Sequence, residues 1–168
     1  MASRWVFGVI FLVCATLLGV AFYMEYVMGL EPCPLCWLQR FGFMGAAVVS
    51  LLAFLHGPVA WGNRVYGLLL ALTAGAGLGV AIRQLWLQSL PADQVPACGP
   101  SVDYMLEVLP WKEVLATAIR GTGDCAEVVW RFLGLSIPGW TAICFSLLVL
   151  IGLYFLLRPA RSGGWIRS

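Results

Sequence analysis

The sequence Cys33-Pro34-Leu35-Cys36 stands between two long apolar runs, with Arg40 four residues after the second cysteine. Two cysteines separated by two residues can close a disulfide and open again to a dithiol, so the pair can store two electrons. The apolar run before the pair ends near Met24, and the next one begins at Trp37. We therefore expect the pair to lie at a membrane surface, at the start of a transmembrane helix. There it can meet both a water-soluble protein and a lipid-soluble carrier.

The composition places the chain in a bilayer. Of its 168 residues, 61% are hydrophobic and 11% are charged, whereas soluble domains carry roughly a quarter charged residues. The net charge of +2 is too small to indicate a nucleic-acid partner. His56 is the single histidine, which excludes a haem held by two histidines and a histidine-rich metal centre.

Four apolar segments are each long enough to cross the ~30 Å hydrocarbon core of a bilayer. They cover about residues 5–24, 37–55, 65–87 and 140–157. The predicted fold is an all-α membrane protein, a four-helix transmembrane bundle in which residues 1–168 form one integral membrane domain. The first segment also resembles a cleaved signal peptide, because Gly19-Val20-Ala21 is similar to a small-residue cleavage site.

The charges are divided between the two sides of this bundle. With four spans, the loops at about 25–36 and 88–139 lie on one side, and together they hold all eight carboxylates of the chain. The termini and the turn at 56–64 lie on the other side and hold five arginines without an acid: Arg4, Arg64, Arg158, Arg161 and Arg167. The positive-inside rule predicts that both termini are cytoplasmic and that the cysteine-bearing loops face outward.

Glycines and prolines mark the third span and the long loop. Gly75, Gly77 and Gly79 predict a small-residue face for close helix packing. This interpretation is favoured over a dinucleotide loop because no strand or charged segment surrounds them. In the loop, three prolines predict an extended stretch around Cys98. These prolines are Pro91, Pro96 and Pro100.

Two short helices are predicted in the same loop. The first runs from Trp111 to Ile119 and stops at Gly121, and its apolar face predicts that it lies on the bilayer surface. That face consists of Trp111, Leu115, Ala118 and Ile119. The second begins with Asp124 as N-cap and Glu127 at the third helical position. It is predicted to run to Leu133, with Gly134 past its end.

Four of the six cysteines, Cys33, Cys36, Cys98 and Cys125, fall on the outer side, where an oxidising compartment favours disulfides. Two alternatives to a redox role are structural disulfides and a four-thiolate zinc site. A Cys33–Cys36 bridge closes too small a loop to stabilise much, and the other two cysteines lack the second close spacing of zinc sites. Cys14 and Cys144 are interpreted as apolar packing residues at different depths that do not bond to each other.

Cys36 is expected to be the unusual thiol. The N-terminal amides of its helix and Arg40 one turn on both favour its thiolate, although burial in lipid opposes them. Arg40 has a second interpretation, as an arginine that snorkels to the interface. Arg83, near the outer end of the third span, is interpreted as a snorkelling residue.

These residues resemble the DsbB family of bacterial inner-membrane disulfide bond formation proteins. The resemblance covers nearly the whole chain. It rests on the four spans and on motifs in a specific order: Pro32-Cys33-Pro34-Leu35-Cys36 with Arg40, Pro96-Ala97-Cys98-Gly99-Pro100, Gly123-Asp124-Cys125-Ala126-Glu127, Phe132-Leu133-Gly134-Leu135 and Pro138-Gly139-Trp140. One departure is Gln84, which stands about where some members carry a histidine near the quinone.

The resemblance implies a thiol:quinone oxidoreductase. Family members reoxidise DsbA, a soluble periplasmic thioredoxin-fold oxidase, and pass the electrons to a membrane quinone, ubiquinone or menaquinone. By resemblance, Cys98 and Cys125 form the pair facing DsbA, Cys33 and Cys36 form the quinone-proximal pair, and Arg40 belongs to the quinone site. No metal is implied. Two alternatives remain at this stage, a disulfide-stapled membrane scaffold without catalysis and an oxidoreductase of the same fold that serves another partner or works in the reducing direction.

The order of events within the outer pair is predicted from access and leaving-group chemistry. Cys98 lies in an open, proline-flanked stretch, and Cys125 lies at a predicted helix N-terminus that stabilises its thiolate. Since a thiol of lower pKa leaves faster, the partner is expected to attack Cys98 and expel Cys125. The freed Cys125 is then expected to attack Cys33, leaving Cys36 to face the quinone.

Overall fold

The computed structural model describes residues 2–59, 61–91, 93–99 and 102–157. Four of its helices are long and apolar enough to cross a membrane, which confirms the predicted four-helix bundle. In chain order the elements are α1 (Ala2–Tyr26), α2 (Pro34–His56), α3 (Trp61–Gln88), α4 (Val102–Val108), α5 (Trp111–Arg120), a 3₁₀ turn (Gly123–Cys125), β1 (Arg131–Phe132), β2 (Leu135–Ser136) and α6 (Ile137–Leu157). Pro100 and the arginines at 158, 161 and 167 lie outside the described residues.

The ends of α2 follow from local chemistry, and the helix is longer at its start than predicted. It begins at Pro34 rather than Trp37, because proline is well suited to the first helical position and Cys33 serves as the N-cap. It ends where Gly57 adopts a left-handed conformation (φ 61°) and its N–H bonds to the Ala53 carbonyl. The early start places both cysteines of the pair in the cap and first turn of α2.

Close packing of α3 on α6 depends on glycines. A Cβ at Gly67 would lie 2.7 Å from the Gly152 carbonyl oxygen, so the two backbones touch at this point. Farther along the helix, the buried Phe145 ring occupies the space over Gly77 and stacks on Phe43 with ring centroids 4.1 Å apart. In the core of the bundle, the Phe145 ring therefore packs directly on the backbone of α3.

The predicted glycine face is only partly correct. Gly77 packs as expected, but apart from the adjacent residues and backbone of α3 itself, no described atom lies within 4 Å of the Cβ positions of Gly75 and Gly79. The physical reason is the helical period: residues two apart point to different sides of a helix. Gly67 and Gly77, about three turns apart, supply the contacts instead.

This difference gives a direct test of the packing. Gly77→Ala is expected to lower the free energy of unfolding by about 1–3 kcal/mol, because the new methyl group overlaps the immobile Phe145 ring. Gly79→Ala is the matched control, since it makes the same chemical change in open space and is expected to be neutral or stabilising. Thermal unfolding of both variants in detergent measures the effect. Equal stability of the two would contradict the packing described here.

The first predicted loop helix is present as α5, and it is amphipathic. Val114 and Ala118 are buried against the rest of the protein, so Ala118 lies on the inner side rather than on the predicted outer face. Trp111, Leu115 and Ile119 are exposed. Their location on the bilayer surface stays a prediction. The loop also contains α4, which the sequence pattern did not predict.

The second predicted loop helix, from Asp124 to Leu133, is wrong. Only a 3₁₀ turn forms at Gly123–Cys125, and the chain then folds into the β1–β2 hairpin. Leu133 and Gly134, with φ values of 51° and 83°, form its two-residue turn, which requires positive φ at both positions. The valine- and aromatic-rich stretch Val128-Val129-Trp130-Arg131-Phe132 favours strand over helix, and this preference outweighs the capping pattern at Asp124.

The hairpin ties the outer ends of α3 and α6 together. The Ser136 hydroxyl donates to Gln88 Oε1 at 2.8 Å, and the Trp140 indole N–H donates to the Phe132 carbonyl at 3.1 Å. On the other side of α3, Arg83 donates to the Arg120 carbonyl at 3.0 Å and stacks on Trp86. Arg83 therefore links α3 to α5, a role beyond the predicted snorkelling.

Candidate redox site

The Cys33–Cys36 pair forms the N-terminal cap of α2. Cys33 Sγ accepts a hydrogen bond from the Cys36 backbone N–H at 3.4 Å, and the two sulfur atoms are 2.9 Å apart. Pro34 at the first helical position keeps the turn between them in helical geometry. All six cysteines are thiols in this structure. The local sequence thus brings the two sulfurs close enough for reversible disulfide chemistry.

Cys125 lies beside this pair. Its side chain is fully buried in a small cluster with Leu35 and Leu87, and Cys33 packs against the same cluster. A hydrogen bond from the Cys33 thiol lowers the pKa of Cys125 to about 6, against the opposing effect of burial. Hydrogen bonds from Leu35 and Thr122 act in the same direction. The same pairing raises the pKa of Cys33, since its proton is shared with Cys125.

The thiolate preference predicted for Cys125 therefore has a different cause from the one inferred from the sequence. The residues after Cys125 form no α-helix, so no helix N-terminus acts on it. Instead, the donors are Cys33 and Leu35 at the start of α2, and Thr122 directly before the 3₁₀ turn. The pKa direction agrees with the prediction, and tertiary contacts produce it.

Cys98 is exposed, whereas Cys33 and Cys36 are half-buried and Cys125 is buried. Its segment docks on the turn that carries Cys125: the Gly123 N–H donates to the Ala97 carbonyl at 3.1 Å, and the Gly99 N–H donates to Asp124 Oδ2 at 3.3 Å. A hydrogen bond with the Asp124 carboxylate raises the pKa of Cys98. The structure thus brings Cys33, Cys36 and Cys125 together and leaves Cys98 at the surface beside an acid.

Sequence reasoning did not foresee a buried polar chain that ends at the pair. The Gln84 side-chain amide donates to both Cys33 Sγ and Cys36 Sγ at 3.4 Å. Gln39 donates to Gln84 Oε1 at 2.6 Å, and the Thr141 hydroxyl donates to Gln39 Oε1. A signal was present, because three polar residues in otherwise apolar spans mark functional positions in membrane proteins.

Arg40 points toward α1. Its guanidinium forms an ion pair with Glu25 and donates to the Ala21 carbonyl at 3.0 Å. The Phe22 and Trp37 rings lie 5.0 and 5.3 Å from its central carbon, a cation–π arrangement. Arg40 is only 8% exposed, so the snorkelling interpretation is wrong: burial and an acidic partner hold the side chain inside the protein.

Cys14 and Cys144 belong to the apolar core of the bundle, away from the redox pair, as predicted for packing residues. Within the parts of the chain that the structure describes, no group of three or more His, Cys, Asp or Glu side chains is placed to hold a metal ion.

Comparison with known proteins identifies the family of this chain. The family model for Disulfide bond formation protein DsbB matches residues 3–155. Among the relatives that carry the name Disulfide bond formation protein B are proteins from three bacteria. The protein from Marinobacter nauticus is 78% identical over 168 residues, with both chains fully covered. The Hahella chejuensis protein is 55% identical over 145 residues, or 86% of this chain and 88% of that one. The Nitrosococcus oceani protein is 48% identical over 164 residues, or 98% and 95% of the two chains.

Four helices long and apolar enough to cross a membrane, together with the family match, define a multi-pass membrane oxidoreductase that forms disulfide bonds. The Cys33–Cys36 pair lies at one end of its second long helix. The chain belongs to the DsbB family of disulfide bond formation proteins, as its motifs predicted.

Proposed function

We propose that this protein is a thiol:quinone oxidoreductase that reoxidises a periplasmic DsbA-type thioredoxin-fold oxidase and passes the electrons to membrane quinone. The observation that carries this proposal is the position of Cys125, hydrogen-bonded to the Cys33 thiol while Cys33 and Cys36 lie 2.9 Å apart. A thiolate at Cys125 needs little movement to attack Cys33. The arrangement suits a relay of disulfide exchange better than a set of structural bridges.

The first step takes place at the exposed cysteine. A DsbA thiolate attacks Cys98 Sγ of a Cys98–Cys125 disulfide, a DsbA–Cys98 bond forms, and the electron pair of the broken bond stays on Cys125. Exchange rates rise as the pKa of the leaving thiol falls. Hydrogen bonds from Leu35 and Thr122, which lower the pKa of Cys125, and the Asp124 contact, which raises the pKa of Cys98, therefore both favour this direction of attack.

In the second step, the inner disulfide passes its oxidising equivalent to the outer cysteine pair. Cys125 attacks Cys33 of a Cys33–Cys36 disulfide, a Cys33–Cys125 bond forms, and the electron pair leaves on Cys36. The second DsbA thiolate then attacks its own mixed disulfide, which releases oxidised DsbA and Cys98. Cys98 next attacks Cys125, re-forms the outer disulfide and frees Cys33, so the inner pair becomes a dithiol. Both electrons removed from DsbA now reside on the inner pair.

A quinone, ubiquinone or menaquinone, would accept these two electrons and two protons and regenerate the inner disulfide. The surroundings of Arg40 suit such a molecule. Its guanidinium has five N–H donors, of which the described hydrogen bonds to Glu25 and Ala21 use two. The Phe22 and Trp37 rings flank the same group, and aromatic rings stack favourably in offset geometry. Arg40 and Cys36 would hold and face the acceptor.

The proposed location is the bacterial inner membrane, with both termini cytoplasmic and the loops at 25–36 and 88–139 in the periplasm. The support is the charge asymmetry of the sequence. A reporter that is active only outside the cytoplasm is expected to work when fused after Gly121 and to fail when fused after Ser168. Activity of the Ser168 fusion would reverse the orientation and remove the oxidising compartment that the mechanism requires.

The catalytic proposal is tested with purified protein in detergent. Reduced DsbA-type oxidase is mixed with this protein and a soluble quinone, and DsbA oxidation and quinone reduction are followed together. The two rates are expected to match, with one quinone consumed per DsbA disulfide formed, and Cys36→Ala is expected to abolish both. A disulfide-stapled scaffold would give no quinone-dependent oxidation. An enzyme that works in the reducing direction would consume quinol and reduce DsbA.

A further inference from the structure

A chain of three neutral polar side chains links α6 to the sulfur atoms across the interior of the bundle. Its hydrogen bonds run from the Thr141 hydroxyl to Gln39 Oε1, from the Gln39 amide to Gln84 Oε1, and from the Gln84 amide to the sulfurs of the pair. Gln39 and Gln84 are 4% and 3% exposed. Burying two carboxamides in an apolar bundle is costly unless their hydrogen bonds are made, so this chain favours one defined arrangement.

This hydrogen-bonded chain of side chains also determines whether the nitrogen or the oxygen of each carboxamide faces a given neighbour. A side-chain amide offers two donors on nitrogen and an acceptor oxygen. The Thr141 hydroxyl lies within hydrogen-bond distance of Gln39 Oε1 and of the Pro138 carbonyl, the latter at 3.0 Å, and its one proton serves one acceptor at a time. When it donates to Gln39 Oε1, the Gln39 nitrogen faces Gln84 and donates to Gln84 Oε1. This leaves Gln84 Nε2 directed at the redox pair, 3.4 Å from each sulfur. The hydroxyl on α6 thus sets the polarity of a group that acts on α2.

Resting on the function proposed above, we propose that the Gln84 side-chain amide is the hydrogen-bond donor that stabilises the Cys36 thiolate released when Cys125 attacks Cys33. Gln39 and Thr141 act as positioning residues that keep this donor aimed at the sulfur. Gln84 touches the reacting atoms directly, whereas Gln39 and Thr141 act through it. Hydrogen bonds to a charged group are roughly twice as strong as neutral ones, so the interaction strengthens as charge develops on Cys36.

The Gln84 carboxamide can serve both states of Cys36 without rotating. Its oxygen lies 3.7 Å from Cys36 Sγ and can accept from the thiol, and its nitrogen lies 3.4 Å from the same sulfur and can donate to the thiolate. A carboxamide does not titrate, whereas a histidine changes charge between pH 5 and 8. The donor at position 84 therefore keeps the same charge across the physiological range.

The test measures how readily Cys36 ionises in the full-length protein. Cys36 has two titratable neighbours, Cys33 in the preceding turn and Cys125 in the packed 3₁₀ turn. Cys33→Ser removes the first and retains an N-cap, and an oxidised Cys98–Cys125 disulfide silences the second. The alkylation rate of Cys36 is then followed against pH by peptide mass analysis, and it reports the thiolate fraction directly.

In that background, Gln84→Met and Thr141→Val are each expected to shift the Cys36 profile upward by about one pH unit or more, a tenfold loss in acid dissociation. Thr141→Ser keeps the hydroxyl and is expected to restore the parent profile. Ser146→Ala is the matched control, because it removes a hydroxyl from the same helix whose bond to the Ala142 carbonyl lies outside the chain. It is expected to leave the profile unchanged.

The proposal is overturned if Thr141→Val matches the parent, if Thr141→Ser shifts the profile as far as valine does, or if Ser146→Ala shifts it equally. The Thr141 pair decides the matter even if Gln84→Met does not fold, since Thr141→Val is nearly isosteric, Thr141→Ser removes only one methyl group, and neither touches the sulfurs. Quinone-dependent DsbA oxidation by the parent protein is measured separately. Its absence would refute the proposed function, whereas an unmoved Cys36 profile in an active enzyme refutes only the role of the polar chain.

Discussion

A DsbA-type oxidase that lacks its resolving cysteine is expected to be captured on Cys98 alone, and the Cys98→Ala variant is expected to capture almost none. The exposed Cys98 is open to attack, while Cys125 is buried against Leu35 and Leu87. Leaving-group chemistry acts in the same direction, because Cys125 has the lower pKa of the two. Mass mapping of the intermolecular disulfide after acid quenching identifies the cysteine that is bonded. A bond mainly at Cys125 in the otherwise intact protein would reverse the assignment.

The need for a thiolate at Cys125 also predicts how the rate of its attack on Cys33 depends on pH. Attack of Cys125 on Cys33 requires the Cys125 thiolate. The largest cause of the lowered pKa of Cys125 is the Cys33 thiol, and this donor is lost once Cys33 is in a disulfide. The donors from Leu35 and Thr122 then act alone against burial, so the transfer rate is expected to fall at acid pH as the Cys125 thiolate is protonated. Rapid-quench mapping of the Cys33–Cys125 bond across pH measures this, and a rate that is flat down to pH 4 would contradict it.

The second large effect is expected at Arg40. Arg40→Ala is expected to lower quinone-dependent turnover strongly and also to reduce the free energy of unfolding by about 1–3 kcal/mol, because it leaves the partly buried Glu25 carboxylate without its partner. The two effects have different causes. The loss of turnover comes from a missing contact with the quinone, whereas the loss of stability comes from the unpaired charge on Glu25. Transfer from DsbA to Cys98–Cys125 is expected to be much less affected.

A double variant separates these two causes. Arg40→Ala combined with Glu25→Gln removes the unpaired charge, so stability is expected to recover while quinone-dependent turnover stays low. Glu25→Gln alone is the matched control, because it keeps the Arg40 guanidinium but removes the charged partner on α1 that positions it. Thermal unfolding and quinone titrations are compared across the set. Full recovery of turnover in the double variant would limit Arg40 to a structural role.

Much of the fold follows from local features of the sequence. Runs of apolar residues long enough to span a bilayer form helices regardless of their neighbours, because hydrocarbon offers no other partner for backbone N–H and C=O groups. Pro34 and Gly57 define the ends of α2 for equally local reasons. The motifs around Cys33, Cys98 and Cys125 were specific enough to identify the DsbB family before any geometry was known.

The loop after α5 shows where local reasoning fails. The capping pattern at Asp124 predicted a helix, but the chain forms a 3₁₀ turn and a hairpin. A capping residue contributes only about 1 kcal/mol, which burial of Cys125 against α2 and α3 can outweigh. The Leu133-Gly134 turn and the strand-favouring residues before it were visible in the sequence, yet their weight against the cap depends on these contacts.

By itself, the sequence determined the four spans, the position of the CxxC pair at the start of α2 and the family, because each depends on residues close together in the chain. The tertiary structure alone decided that Cys125 lies against Cys33, that Arg40 pairs with Glu25, and that Thr141 and Gln39 aim Gln84 at the sulfurs. Cys33 and Cys125, or Gln39 and Thr141, are about a hundred positions apart. Their contact depends on how helices dock and on which polar groups must be satisfied once buried, and no local pattern records either.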